Sequence, residues 1–325
     1  MSLRWIKRVL AILAGVIGMS VAIAVTPKSG DFYAHNPGII LDKDFAANGN
    51  SFQAHIKLAK SVPFRAVGAI RGGATRSGVW IGGPYVLTTA HSAVIEDSKS
   101  SQVTYDPRKY TFTIVIDGRE YSYRGVEWIV PHEYVQAARG NTDRWKLGPA
   151  DMCILRLDRS VSIPGVDPAA VSKQVPAVGD NLTFVGYGRR GLFSTGPNQR
   201  RFGAGWNQSP PEPLGFTGRV WRFTSHGWQY THIVTEDSEG SLEGGASGGD
   251  SGGGVFVKRG ESYELAGIIC FSSQPNDGEL PQNSQYGRHL ETGATNIARW
   301  HEAIKRGLSE GDWYDFRGMR LFVSR

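Results

Sequence analysis

Cysteine is nearly absent: the 325 residues include two, Cys153 and Cys270. At most one internal disulfide can form, so a disulfide-stapled scaffold is excluded and the fold must stand on its own packing. Both cysteines lie in apolar, strand-like runs, where two buried thiols are at least as well accommodated as a bridge. No Cys or His pair has ligand spacing, so no metal site is expected. Long runs of one charge are also missing. The net charge is +6 and the basic residues are dispersed, which leaves no electrostatic footprint for nucleic acid. Arg189, Arg190, Arg200 and Arg201 sit in a Gly-rich stretch with no stacking platform and read as solvated loop charges. The acidic residues Glu236, Asp237, Glu239 and Glu243 lack the regular spacing of a calcium loop. With 40% hydrophobic and 20% charged residues, the chain is neither disordered nor a coiled coil.

Long apolar runs are limited to one, from Val9 to Val25, with Arg4, Lys7 and Arg8 before it and Ala22-Ile23-Ala24 near its end. A basic flank, a short apolar stretch and a small-residue site describe a secretory signal peptide over residues 1–25, with an uncleaved anchor as the alternative. Either reading exports the rest, to a periplasmic or secreted location. Residues 26–60 are polar and mixed, an N-terminal extension or pro-segment.

What is abundant is glycine, 42 residues, punctuating short runs rich in Val, Ile, Thr and aromatics. Phe64–Ile70, Gly78–Ile81, Tyr85–Thr89, Tyr110–Ile116, Glu120–Tyr123 and Met152–Leu157 form one series. Leu182–Tyr187, Gly218–Thr224, Tyr230–Thr235, Gly254–Lys258 and Tyr263–Phe271 form another. Such spacing predicts an all-β sandwich or barrel fold, and two series of similar size suit two barrels. One helix is predicted over residues 296–307, capped by Asn296, with Ile297, Trp300, His301 and Ile304 on one stripe and Gly307 as the stop. Residues 308–325 read as a tail.

Three segments carry chemistry. Gly248-Gly249-Asp250-Ser251-Gly252-Gly253-Gly254 places a serine among glycines. Such a serine is exposed for attack, and the surrounding backbone N–H groups can approach a developing oxyanion. Val86-Leu87-Thr88-Thr89-Ala90-His91 delivers a histidine at the end of an apolar strand. Serine is a weak nucleophile without a base, so His91 is the candidate. Ala150-Asp151-Met152-Cys153-Ile154-Leu155 puts a carboxylate at the head of an apolar strand, a costly place unless it is partnered. An imidazole N–H is a suitable partner and fixes the tautomer.

In this order, His, Asp, Ser, the three segments resemble the trypsin/chymotrypsin-like serine proteases. Val62-Pro63-Phe64-Arg65-Ala66-Val67 is similar to the first strand of that family, and Gly186-Tyr187-Gly188 to its early second-barrel motif. Leu265-Ala266-Gly267-Ile268-Ile269-Cys270-Phe271-Ser272 is similar to the strand that pairs with substrate backbone. The resemblance implies two packed antiparallel β-barrels, over about 61–160 and 175–295 within a protease domain at 61–307, with the C-terminal helix behind. It implies His91, Asp151 and Ser251 as the catalytic triad and the N–H groups of Gly249 and Ser251 as the oxyanion hole. Gly245, Ala246, Cys270, Phe271 and Ser272 would border the substrate. Gly245 and Ala246 carry no charge, which implies a pocket for small or apolar side chains. The partner would be a polypeptide, with no cofactor, no nucleic acid, membrane contact only through an uncleaved N-terminus, and a monomeric state. The few cysteines and the export signal suit a bacterial member.

Departures from the pattern accompany these matches. Ser92 stands where many members have a disulfide cysteine, Cys270 where they have a serine near the aspartate, and Gly254 where they have proline. In digestive members a freed amino terminus pairs with the aspartate before the nucleophile, here Asp250. No such cleavage site is evident, so an internal donor, a cation or water is expected at Asp250. A catalytically silent binding module on the same fold is the alternative function.

Overall fold

The computed structural model describes residues 38–41, 49, 51–72, 75–97, 100–104, 106–138, 150–188, 190–193, 200–201, 212–225, 231–236, 242–273, 291–302, 304–305, 313–316 and 319–322. The segment 1–25, read as a signal peptide or anchor, lies outside them.

The described part of the N-terminal extension is built into the fold. Its strand β1 (Gly38–Leu41) and helix α1 (Gln53–Ala59) precede the first barrel. Helix α1 buries His55 and Ile56, and Ile56 clusters with Leu214 of the second barrel. His55 Nδ1–H donates to the Gly215 carbonyl at 2.8 Å, and a Lys60–Glu212 ion pair lies at the C-terminal end of the helix.

The first half runs β2 (Val67–Arg71), β3 (Arg76–Gly82), β4 (Tyr85–Thr88), a hairpin of β5 (Val94–Asp97) and β6 (Ser100–Thr104), then β7 (Thr111–Ile116) and β8 (Arg119–Pro131). Helix α2 (His132–Ala138) and strand β9 (Cys153–Leu157) complete it. The sheet order is β8-β7-β2-β3-β4-β9, and a further β8–β9 pairing joins its two ends. The thirteen residues of β8 make this possible: its first half pairs with β7 and its second half with β9. The first strand begins later than expected. Val62–Phe64 forms a 3-10 turn, because Pro63 has no N–H for a ladder, and pairing starts at Val67.

The second half has β10 (Asn181–Gly186), β11 (Arg190–Phe193), β12 (Arg200–Arg201), β13 (Leu214–Ser225), β14 (Thr231–Glu236), β15 (Gly244–Gly245), β16 (Gly254–Arg259), β17 (Ser262–Ser273) and β18 (Glu291–Asn296). Six of them close a barrel in the order β10-β13-β14-β18-β17-β16. A separate four-stranded sheet runs β12-β11-β1-β15. The all-β architecture of two barrel-like halves is therefore as expected.

Phe64 holds the halves together. Its ring packs against Phe256 of β16 at 5.0 Å and Tyr263 of β17 at 4.9 Å between centroids. Fully burying such a ring contributes roughly 2–3 kcal/mol.

The C-terminal part differs from expectation. Asn296 ends β18 instead of capping a helix, because Ile268 and Gly267 of β17 still pair with Thr295 and Asn296. A 3-10 turn, Ala298–Trp300, then leads into helical residues 301–302 and 304–305. Ile297, Trp300 and Ile304 are buried in the core as their spacing required. Residues called a tail contain a hairpin, β19 (Trp313–Phe316) and β20 (Met319–Phe322). Strand β20 pairs parallel to β8, Leu321 opposite Val130.

Candidate active site

Strand β4 ends at Thr88, and a 3-10 turn over Ala90–Ser92 turns the His91 ring out of the strand. Asp151 sits two residues before the start of β9, which pairs with β4 through Thr88 and Cys153. This pairing brings the two residues together across sixty positions of sequence. Asp151 Oδ2 accepts from His91 Nδ1–H at 2.6 Å, and Oδ1 accepts from the His91 backbone N–H at 2.9 Å. Both carboxylate oxygens are thus used on one residue, which fixes ring orientation and tautomer. Asp151 is buried, so these bonds are what make its charge tolerable there. His91 Nε2 lies 3.4 Å from Thr89 Oγ1.

Ser251 stands in a tight loop before β16. Strand β3 anchors this loop: the Ser77 N–H donates to the Ser251 carbonyl at 2.9 Å, and Ser77 Oγ–H donates to the Gly249 carbonyl at 2.9 Å. Ser77 Oγ also accepts the Tyr187 N–H at 2.8 Å, and Thr88 Oγ1–H donates to the Ser77 carbonyl at 2.8 Å. The loop therefore packs on the residues that lead into His91. Gly252 is obligatory at this contact. Its φ is +87°, and a Cβ would lie 2.1 Å from both the Ser77 carbonyl oxygen and Thr88 Oγ1. The Gly252 N–H donates to the Ile269 carbonyl at 2.8 Å, tying the loop to β17.

The loop leaves its reactive groups free. Among the described residues, Ser251 Oγ has no hydrogen-bond partner, and neither the Gly249 N–H nor the Ser251 N–H donates to another group. Two unengaged N–H groups flanking a partly exposed serine can receive an anionic oxygen.

The comparisons with known proteins bear on this geometry. A family model described as Trypsin matches residues 53–286, well over half of the chain. The chain belongs to the trypsin family. Among solved structures, neuropsin, a serine protease expressed in the limbic system of mouse brain, has the same fold. It is 20% identical, the match covers 77% of this chain and 96% of that one, and the TM-score is 0.50. No curated protein matches by sequence.

The departures from the trypsin pattern now have structural counterparts. Ser92 replaces a bridged cysteine, and its hydroxyl pairs with Thr89 Oγ1 at 2.6 Å while Arg76 donates to its carbonyl at 2.9 Å. Both cysteines are buried thiols that are not bridged to each other. Cys270 sits at a bulge in β17, between Ile269 and Phe271, and its Sγ–H donates to the Gly293 carbonyl at 3.3 Å. Thr295 Oγ1–H donates to the main-chain carbonyl of Asp151 at 3.2 Å, which anchors the backbone there and leaves the carboxylate to His91. Cys153 donates to the Thr89 carbonyl at 3.2 Å, and burial together with the nearby Asp151 charge pushes its thiol pKa up. Gly254 opens β16 opposite Ile268.

Of the expected substrate-bordering residues, Phe271 and Ser272 lie on β17, paired with Gly293 and Thr292. Gly245 and Ala246 are buried, Gly245 paired with Ile39 and Ala246 in the core of the second barrel. Sequence reasoning missed Ser77, Thr88, Arg76 and Thr295. The available signal was a hydroxyl beside an apolar strand run, as Thr88 after Val86-Leu87 in β4; the structure shows it and Ser77 fully buried and hydrogen-bonded.

Proposed function

We propose that this trypsin-family domain is an active, exported serine endopeptidase with His91, Asp151 and Ser251 as its triad. The observation that carries the reading is the His91–Asp151 pair packed, through Ser77 and Thr88, against a loop with two unengaged N–H groups beside a free serine hydroxyl. Ser251 Oγ attacks the scissile carbonyl carbon while its proton passes to His91 Nε2. The Gly249 and Ser251 N–H groups receive the oxyanion. Collapse breaks the C–N bond, and His91 returns the proton to the leaving amine. Water then repeats the sequence on the acyl-enzyme, His91 again acting first as base and then as acid. Asp151 holds the ring through Nδ1–H and steadies the imidazolium.

The substrate is a polypeptide, laid along β17. Export rests on the basic-apolar-small pattern of residues 1–25. A fluorophosphonate probe should modify Ser251 in the wild type and leave His91→Ala unmodified at the same dose. Absence of labelling and of peptide hydrolysis in the folded wild type would refute the reading and favour a silent binding module.

A further inference from the structure

Asp250 is a buried carboxylate held without a cation among the described residues. Its Oδ1 accepts the Gly188 N–H at 2.7 Å, and its Oδ2 accepts the Ser247 N–H and the Ser247 hydroxyl, each at 2.9 Å. Burial pushes its pKa up to about 6, against the opposing pull of those three donors. The approach of Gly188 is close: a Cβ there would lie 2.4 Å from Oδ2 and 2.3 Å from Ser247 Oγ. Asp250 lies between Gly249 and Ser251, so the cage that holds it also aims the two N–H groups assigned to the oxyanion.

The two donors sit on separate arms of chain. Gly188 precedes β11, and Ser247 follows β15. Strand β1 lies between these arms and pairs with both. It runs parallel to β11, with Ile39 opposite Gly191, and antiparallel to β15, with Ile39 opposite Gly245. One residue of the N-terminal extension thus faces both arms. The two-residue strand β15 has β1 as its ladder partner among the described residues.

We propose that Gly38–Leu41 is a built-in activation strand: paired with both arms in the uncut chain, it holds Gly188 and Ser247 at the spacing that cages Asp250, and so presents the Gly249 and Ser251 N–H groups without release of a new amino terminus. Ser247 is then a positioning residue, acting on the oxyanion loop through Asp250. This inference rests on the serine-protease reading for its catalytic consequence, but its structural half can be read separately.

The test uses the full chain, with the cut or uncut state of every labelled molecule read by intact mass, and follows two signals. One is fluorophosphonate labelling of Ser251; the other is amide hydrogen exchange in residues 186–188 and 244–252, with β16 as an internal control. In the double variant Ile39→Pro/Ile40→Pro, neither residue can donate to a ladder. Exchange in both arms should rise while β16 stays protected, and labelling should fall about 100-fold, the usual effect of misplacing an oxyanion donor. Ser247→Ala should slow labelling about tenfold or more, and Ser247→Thr should restore it. Labelling confined to molecules cut upstream of the first barrel, or unchanged labelling and exchange in the proline variant, would overturn the proposal. If the proline variant loses protection in β16 as well, the Ser247 pair decides, and Ser247→Ala labelling at the wild-type rate overturns it. A wild type that never labels, yet whose arms lose protection in the proline variant, refutes the protease reading and supports the clamp.

Discussion

Acidification should stabilise the wild type relative to an Asp250→Asn variant, opposite to what an ion-paired aspartate would do. The Asp250 carboxyl is displaced from 3.8 to about 6, with burial as the largest cause. At 1.36 kcal/mol per unit this corresponds to about 3 kcal/mol. The sign follows from proton counting. Between about pH 4 and pH 6 the folded protein keeps a proton that the unfolded chain has released, so stability falls as pH rises through that window. The contribution is fully present below about pH 4 and lost above about pH 6. Asparagine cannot ionise, and groups such as His91 are common to both proteins, so the wild-type-minus-variant difference isolates Asp250. Urea unfolding of both proteins from about pH 4 to pH 8 gives that difference directly. It should move by about 3 kcal/mol in favour of the wild type on going to acid. An ammonium or guanidinium against Asp250 would depress its pKa and make the wild type lose ground instead. A flat difference, or one of that opposite slope, refutes the neutral cage.

Ser251→Ala should abolish hydrolysis of a peptide library and leave the melting temperature within about 2 °C of wild type, since the hydroxyl makes no hydrogen bond among the described residues. Gly252→Ala combines an unfavourable φ with a collision against Ser77 and Thr88; a loss of about 2–4 kcal/mol in chemical unfolding is expected, together with loss of activity. Cleavage of mixed peptides, read by mass spectrometry, should follow small or apolar residues, and exclusive cutting after Arg or Lys would contradict the uncharged Gly245–Ala246 stretch. Burial lowers the pKa of His55 below 6.5, so its contribution to holding helix α1 is present above that pH and lost on acidification through the lowered value. Amide exchange in Gln53–Ala59 should therefore rise in mild acid before that of β16 does.

The parts of the site that could be read from the chain are those in which one residue announces its own chemistry. Ser251 among glycines, His91 after an apolar strand and Asp151 before another each break a local pattern, and a carboxylate at such a strand head demands a partner. The strands were legible for the same reason, since Val86-Leu87 and Ile154-Leu155 are apolar where sheets are buried. What was not legible depends on pairings distant in sequence. Nothing in Gly38-Ile39-Ile40-Leu41 distinguishes a strand clamped between β11 and β15 from a linker. Asn296 has the composition of a helix cap, but its ladder with β17 overrides that preference. Ser247 looks like loop punctuation until Gly188, from another part of the chain, supplies the second half of its cage. The need for a partner at Asp250 followed from the family resemblance, but which groups supply it did not.

The hairpin of β19 and β20 gives the order of docking a role. Strand β8 lies in the first half of the barrel pair, yet its stretch Ile129–Pro131 is covered by β20, from the far end of the described residues. The closure between them spans roughly two hundred residues, the kind of distant pairing whose entropic cost slows folding. Until β20 has docked, the β8 edge near Ile129–Pro131 remains open to other chains. A chain in which that hairpin has come away would present a nearly complete barrel with one unguarded side, where a strand of a second molecule could pair.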